Sequence, residues 1–217
     1  MLSIFVGIRP LVSAPGGGEG KTSALSRGHT IHIDESGLMT VVGGKWTTYR
    51  HMAEDCVDHA ITLGSLRDTP CVTADLPIHG YHRQAEKLGN LSVYGTDAEG
   101  IKRVAAEAPA FAAKLHPDLP YIAAEVIWSV RNEMSRTLDD ALSRRTRALL
   151  LNARATIEMA PKVAKLMAAE LGRDDNWMKT QIDSFTTLAK QYILGPAPTQ
   201  EAPASAQAAS ASAQAQP

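Results

Sequence analysis

The chain has little cysteine: Cys56 and Cys71 are the two thiols in 217 residues. They make neither a disulfide framework nor a metal-ligand spacing. With no secretory signal in front of them, they suit a reducing compartment. Met1 to Leu11 lacks the basic start and the longer apolar run of a signal peptide. No apolar run reaches the roughly 18 residues that a bilayer-spanning helix needs. Aromatic residues are few, at 5%, while alanine is plentiful, which favours packed helices over a sheet-rich fold. Charge of one sign is missing too. The formal net charge is −1, which gives no reason to invoke nucleic acid. The loop Ser13 to Thr22 nearly spells a nucleotide-binding P-loop. Pro15 stands where G-x-x-x-x-G-K-[ST] needs its first glycine. Thr22 to His29 lacks the apolar helical period such a loop requires, so a flexible surface loop is the better account.

What is present centres on one octapeptide, Gly43-Gly44-Lys45-Trp46-Thr47-Thr48-Tyr49-Arg50. A short apolar run, Leu38 to Val42, precedes it, and an amphipathic stretch, Met52 to Leu63, follows. The order is strand, glycine turn, helix start. Two glycines let the backbone turn sharply and let a ligand approach without meeting a Cβ. Thr47 and Thr48 are N-cap candidates. The first free helical amides favour negative charge, and Lys45 adds a full cation. The residues describe an anion-facing junction. A plain connection with a solvated lysine satisfies the same residues.

Along the chain, Ile4 to Ile8 reads as a buried strand closed by Arg9-Pro10. Arg9 is a surface charge or a ligand clamp. Thr30 to Ile33 alternates as a half-buried strand, Asp34 to Gly37 is a turn, and Leu38 to Val42 returns as a hairpin. His32 packs on the sheet or faces water. Cys56 falls on the apolar face of the first helix as a plain core residue, and Gly64 closes that helix. Leu66 to Gly80 has no period and reads as a linker. Beyond it the pattern is helical. Thr96 and Glu99 form a capping box. Helices are predicted over Tyr121 to Met134, over Leu138 to Leu151, and over Ala155 to Leu171 with a kink or restart at Pro161. A last helix is capped by Asp174 or Asp175 and stopped by Gly195-Pro196. The basic cluster Arg144-Arg145-Arg147 reads as paired surface charge, given Asp139 and Asp140 nearby. Residues 196–217, rich in Ala, Gln, Ser and Pro, should be disordered.

Three stretches together carry a resemblance: Phe5-Val6-Gly7-Ile8-Arg9-Pro10-Leu11-Val12, then Thr22 to His29, then Gly37-Leu38 through the octapeptide to Ala53-Glu54-Asp55. A fourth strengthens it: Glu125-Val126, then Arg131-Asn132-Glu133-Met134-Ser135-Arg136-Thr137-Leu138-Asp139-Asp140 to Arg144-Arg145-Thr146-Arg147. In order and spacing, roughly residues 4 to 194 resemble the C-terminal part of the FAD-dependent glycerol-3-phosphate dehydrogenases. That family carries a strand and G-x-G-x-x-G turn for the FAD pyrophosphate, and no such motif occurs in this sequence. The expectation is therefore a fragment, or one piece of a split gene.

The fold class the resemblance implies is an α/β fragment followed by an all-α C-terminal domain. Residues 1–65 would end an FAD-binding domain of the glutathione-reductase-like, DAO type. Residues 66–80 would link it to the helical domain of residues 81–195, with residues 196–217 as a tail. The implied reaction takes sn-glycerol 3-phosphate to dihydroxyacetone phosphate and passes electrons to a quinone. Arg9, Arg27 and Lys45 would hold the substrate, and Gly43, Gly44, Thr47 and Thr48 would contact FAD. No general base is identifiable, and no metal is called for. An oxidase using oxygen fits the same resemblance. The fragment alone should be inactive, and a separately encoded N-terminal FAD domain is a candidate partner. The resemblance also admits a homodimer and a cytoplasmic location with peripheral contact on the inner face of the cell membrane. The rival from another class is a non-catalytic helical interaction module carrying a degenerate flavin-domain remnant.

Overall fold

The computed structural model describes residues 1–8 and 28–195. The chain divides into two compact units. One is Val6–Ala85; the other joins Met1–Phe5 to Glu86–Pro217.

The unit Val6–Ala85 holds a hairpin and one helix among its described residues. Strand β1, His29–Ile33, pairs antiparallel with β2, Met39–Gly43, with Ile31 opposite Val41 and Ile33 opposite Met39. Asp34 builds the turn the sequence predicts. Its carboxylate accepts the Ser36 amide at 2.8 Å, the Ser36 hydroxyl at 2.6 Å and the Leu38 amide at 3.1 Å. These bonds hold the Asp34 carboxyl below its usual range, that from the Ser36 hydroxyl most of all. A short 3-10 turn, Trp46–Thr48, leads into α1, Tyr49–Leu63. The apolar stripe of α1 is half-buried at Met52, Cys56, Ala60 and Ile61, and Val57 is 55% exposed. Cys56 is thus a half-buried residue, not the core residue the stripe suggests. Residues 66–84 carry no helix or strand.

The other unit is helical. Two short 3-10 runs within Ala85–Asp97 lead to α2, Ala98–Glu107. Then come α3, Ala123–Asn132; a π-type turn, Asp140–Arg145; α4, Ala148–Leu151; α5, Ala153–Leu171; and α6, Asp175–Lys190. The main core joins α3, α4, α5 and α6 through Val126, Leu138, Leu142, Leu149, Met159, Val163, Met167 and Phe185. A second cluster seats Ile101 and Val104 of α2 against Ala124 and Ile127 of α3. Each buried large side chain contributes about 1.5–3 kcal/mol, so this unit carries most of the apolar burial. Asp174 caps α6 as predicted, accepting the Trp177 amide at 2.8 Å. Asn152 caps α5 through the Ala155 amide at 3.1 Å.

Several sequence expectations change here. Ile4 to Ile8 forms no strand, and Val6 and Ile8 are almost fully exposed. A strand needs a ladder partner, and no described strand offers one. Instead Met1–Phe5 straps the helical unit: the Ser3 hydroxyl donates to Leu149 O at 2.7 Å, and the Ile4 amide donates to Tyr192 O at 2.8 Å. The predicted Leu138 to Leu151 helix breaks after Arg145, because Arg147 sits at φ 58° before α4. The helix α5 neither stops nor restarts at Pro161. Thr96 and Glu99 make no capping box; Asp97 is the N-cap, and Glu99 bonds Lys102 at 2.6 Å. Among the described residues the sheet is two-stranded, so the α/β part reduces to a hairpin and one helix, followed in the sequence by a helical domain. No described helix is long and apolar enough to cross a membrane. The proposed tail, 196–217, lies outside the described residues.

Candidate functional site

The site is built where β2 runs into α1. Gly43 and Gly44 both take positive φ, 78° and 81°. That left-handed pair turns the chain between the strand and the helix start, and it strains any residue with a Cβ. The Gly44 amide donates to Gly28 O at 3.1 Å, which extends the hairpin by one bond past its ladder. A Cβ added to Gly44 would overlap the Met52 sulfur. Met52 of α1 thus packs directly on the turn.

Lys45 follows in extended backbone, at φ −133° and ψ 152°. Its side chain is exposed, and among the described residues its ammonium makes no ion pair. Thr48 is the N-cap of α1, yet its hydroxyl does not cap forward. It donates to Lys45 O at 3.1 Å and accepts the Lys45 amide at 3.3 Å. The predicted cap role of Thr48 is therefore corrected: the hydroxyl staples Lys45 in place. Thr47 is exposed, and its hydroxyl is not hydrogen-bonded among the described residues. The start of a helix leaves its first amides without intrahelical acceptors. Here the 3-10 turn engages the Thr48 amide with Lys45 O at 3.0 Å and the Tyr49 amide with Trp46 O, so the amides left over are those of Trp46 and Thr47, which share one exposed stretch with the Thr47 hydroxyl and the Lys45 cation. It is chemically competent to hold an anion or a carbonyl edge.

Sequence reasoning missed an aromatic pair in the same stretch. Trp46 and Tyr49 stack with ring centroids 5.6 Å apart and planes 29° apart. Trp46 is 87% exposed. The spacing i, i+3 at a helix start was the signal that could have found them.

A second constellation lies behind the turn. His29 Nε2 donates to Asp55 Oδ2 at 2.7 Å, joining β1 to α1. His59 Nδ1 sits 3.3 Å from the other Asp55 oxygen. The His29 hydrogen bond and the neighbouring imidazoles hold the Asp55 carboxyl below its ordinary range. His51 stands edge-on to His29, centroids 5.9 Å apart. The Arg50 guanidinium bonds Glu54 at 2.9 Å and the Thr73 hydroxyl at 3.1 Å. It rims a cleft of about 620 Å³ lined by Ala53, Val57, Val72, Leu76 and Ile78. That cleft is apolar, and its guanidinium is engaged, so it does not suit a phosphate. Among the described residues no group of His, Cys, Asp and Glu is placed to hold a metal ion.

Arg9 and Arg27, the other two substrate candidates, lie outside the described residues. Of the seven candidates, the structure brings together Gly43, Gly44, Lys45, Thr47 and Thr48. The basic cluster of the helical unit is largely neutralised. Arg144 pairs with Asp139 and Asp140, and Arg145 donates to Glu133 O at 2.6 Å. Arg147 is exposed.

Residues 40–178 match the family model described as the C-terminal domain of alpha-glycerophosphate oxidase. The mitochondrial glycerol-3-phosphate dehydrogenase of Macaca fascicularis is 35% identical over 213 residues, covering 89% of this chain and 28% of that protein. A probable mitochondrial glycerol-3-phosphate dehydrogenase of Caenorhabditis elegans is 35% identical over 210 residues, covering 86% of this chain and 28% of its own length. The chain therefore spans little more than a quarter of these relatives. The crystal structure of the Bacillus halodurans glycerol-3-phosphate dehydrogenase, complexed with FAD, matches 75% of this chain and 37% of its own, with a TM-score of 0.60 and 25% identity. The matched region holds the glycine turn, α1 and most of the helical unit. The chain belongs to the glycerol-3-phosphate dehydrogenase family and carries the domain found at the C-terminus of alpha-glycerophosphate oxidase.

Proposed function

We propose that this chain supplies the substrate-facing turn and the helical domain of an FAD-dependent glycerol-3-phosphate dehydrogenase. The observation that carries this is the junction at Gly43–Gly44–Lys45. Lys45, its backbone fixed by the Thr48 staple and its side chain exposed, stands beside the Trp46 and Thr47 amides at the start of the 3-10 turn, all within the family match. The reaction proposed is oxidation of sn-glycerol 3-phosphate at C2 to dihydroxyacetone phosphate. Lys45 attracts the substrate phosphate, and Arg9 and Arg27 complete the clamp, since a planar guanidinium suits a phosphate.

The turn also fits FAD. Gly43 and Gly44 present backbone without a Cβ, and Thr47 presents an unengaged hydroxyl. Thr48 acts through Lys45, because its own hydroxyl is occupied. When bound, FAD supplies a two-electron acceptor, and a quinone is the onward acceptor we propose. The N-terminal end of the α1 dipole favours negative charge near this turn.

The chain acts with a flavin-binding partner domain, and alone it is inactive. We place it on the cytoplasmic side, with peripheral membrane contact and homodimer formation as further features of the complete assembly. The test is reconstitution. The purified chain is mixed with the separately expressed N-terminal FAD domain of a family enzyme. Flavin absorbance and glycerol-3-phosphate-dependent dye reduction are then recorded. Activity in the mixture and none in either part supports the reading. A mixture that forms a flavin-loaded complex yet never reduces dye overturns it in favour of a non-catalytic helical module.

A further inference from the structure

We propose that the His29–Asp55 pair is a positioning device that sets the backbone of the Gly43–Gly44–Lys45 turn without touching ligand itself. Its bearing on catalysis rests on the reading that this turn faces substrate.

Three elements meet at the His29 ring. In the β ladder His29 lies opposite Gly43. The residue before it, Gly28, receives the Gly44 amide at 3.1 Å. The His29 Cβ lies 3.3 Å from where a Gly44 Cβ would stand. From β1 the imidazole then reaches across to Asp55, in the second turn of α1, at 2.7 Å. The His29 side chain is 16% exposed against 37% for Asp55, so the bond is partly shielded from water. Hydrogen bonds to a charged partner are stronger than neutral ones. The pair therefore fixes β1 to α1 at the point where the intervening turn must place Lys45. Met52, one turn earlier in α1, closes the turn from the helix side.

The surroundings make this clamp sensitive to protonation. Around His29 and Asp55 stand His51 and His59, both on α1, and Glu54 bonds His51 at 3.5 Å. The facing strand β2 contains no titratable residue. With the imidazole protonated, the His29–Asp55 contact is an ion pair. With it neutral, a single uncharged donor remains. His59 Nδ1 donates to the Asp55 backbone oxygen at 2.8 Å and lies 3.3 Å from its Oδ1, so Asp55 keeps a contact within α1 when the His29 charge is lost, and the strand side of the clamp loosens first.

The experiment is nuclear magnetic resonance on the isotope-labelled 217-residue chain across the imidazole titration range, roughly pH 5 to 8. The expected result is that the Gly44 and Lys45 amide resonances move in step with the His29 ring signals. His29→Gln keeps an uncharged donor, so it should hold Gly44 and Lys45 at the positions seen for neutral His29 and abolish their pH dependence. His29→Phe keeps the ring volume and loses the donor, so both amides should shift. Asp55→Asn removes the charge from the other side and should uncouple the amides from the His29 titration. Cross-strand contacts between Ile31 and Val41 report whether the hairpin is intact in each variant. The proposal is overturned if Gly44 and Lys45 ignore the His29 titration. It is overturned equally if His29→Phe and His29→Gln move them alike. This measurement reads backbone position and the reconstitution reads turnover, so either can fail while the other stands.

Discussion

The Glu125 carboxylate accepts the backbone amide of Ile122, three residues earlier, at 2.7 Å. It thereby closes the N-terminus of α3, where Ile122 as N-cap has no side-chain oxygen to offer. Glu125 as a whole is 3% exposed. Burial pushes its carboxyl up to about 6, opposed by the bonds from Ile122 and Tyr94. The same burial, with the Glu125 charge beside it, raises the Tyr94 hydroxyl well above the usual tyrosine range.

The helical unit should therefore lose stability as pH rises from the unfolded value of 4.5 through about 6. In that window the unfolded chain gives up the Glu125 proton more readily than the folded one does. The loss should be about 1–2 kcal/mol, at 1.36 kcal/mol per pKa unit. Glu125→Gln keeps an acceptor for the Ile122 amide and removes the charge. Urea titrations at pH 4.5 and 7 should show the wild type weakening across the window and Glu125→Gln holding level. A wild type flat across it would refute the assignment.

Lys45→Ala, made at the equivalent lysine of a full-length family enzyme, should lower kcat/KM for glycerol 3-phosphate roughly ten- to a hundred-fold. That follows from the loss of a charge-assisted bond worth about 1.5–3 kcal/mol. The weak rate on glycerol should barely change. Arg9→Ala should act alike and leave flavin content normal. Equal losses on both substrates would assign these residues to flavin or fold instead.

Gly100→Ala sets two effects against each other. In a helix interior Ala exceeds Gly by about 1 kcal/mol. The added Cβ, however, would overlap the Trp128 ring, which packs on Gly100. Overpacking costs about 1–3 kcal/mol, so the clash should win. Thermal melting should show a lower Tm. An unchanged or higher Tm would mean that Trp128 swings aside freely.

Arg131 joins three helices. Its Nε and Nη2 bond the Glu170 carboxylate at 2.7 and 2.9 Å, and its Nη1 bonds Glu107 at 2.9 Å. Arg131→Lys keeps the charge and loses the fork. Exposed pairs are each worth about 0.2–1 kcal/mol, so the variant should lose about 1 kcal/mol. A double-mutant cycle with Glu170→Gln should show coupling. Additive single losses would mean the network adds nothing beyond isolated pairs.

The sequence shows the hairpin, α1 and the Asp174 cap because each follows from local chemistry. Asp34, Gly37 and the Thr30–Ile33 alternation act within a few residues of one another. The glycine turn is legible for the same reason. Ile4 to Ile8 misleads because an apolar β-branched run becomes a strand only where a partner strand exists. Pro161 misleads in the other direction. The neighbouring Met159, Ala160, Val163 and Ala164 are buried against the core, and that packing holds the helix through a missing amide. The left-handed Arg147 carries no glycine or asparagine signature, so the break before α4 is invisible. The His29–Asp55 pair spans 26 residues. It emerges once the register opposite Gly43 is known.

The strap at Met1–Phe5 has a consequence for the order in which the molecule is made. Ser3 and Leu149, which share a hydrogen bond, lie 146 positions apart. At a synthesis rate of about 5–20 residues per second, roughly 7 to 30 seconds pass between them on the ribosome. Through that interval Ser3 has no Leu149 to bind, while Asp34 already has Ser36 and Leu38. The hairpin can form as it emerges. The strap is complete only once Tyr192, which accepts the Ile4 amide, has also been made.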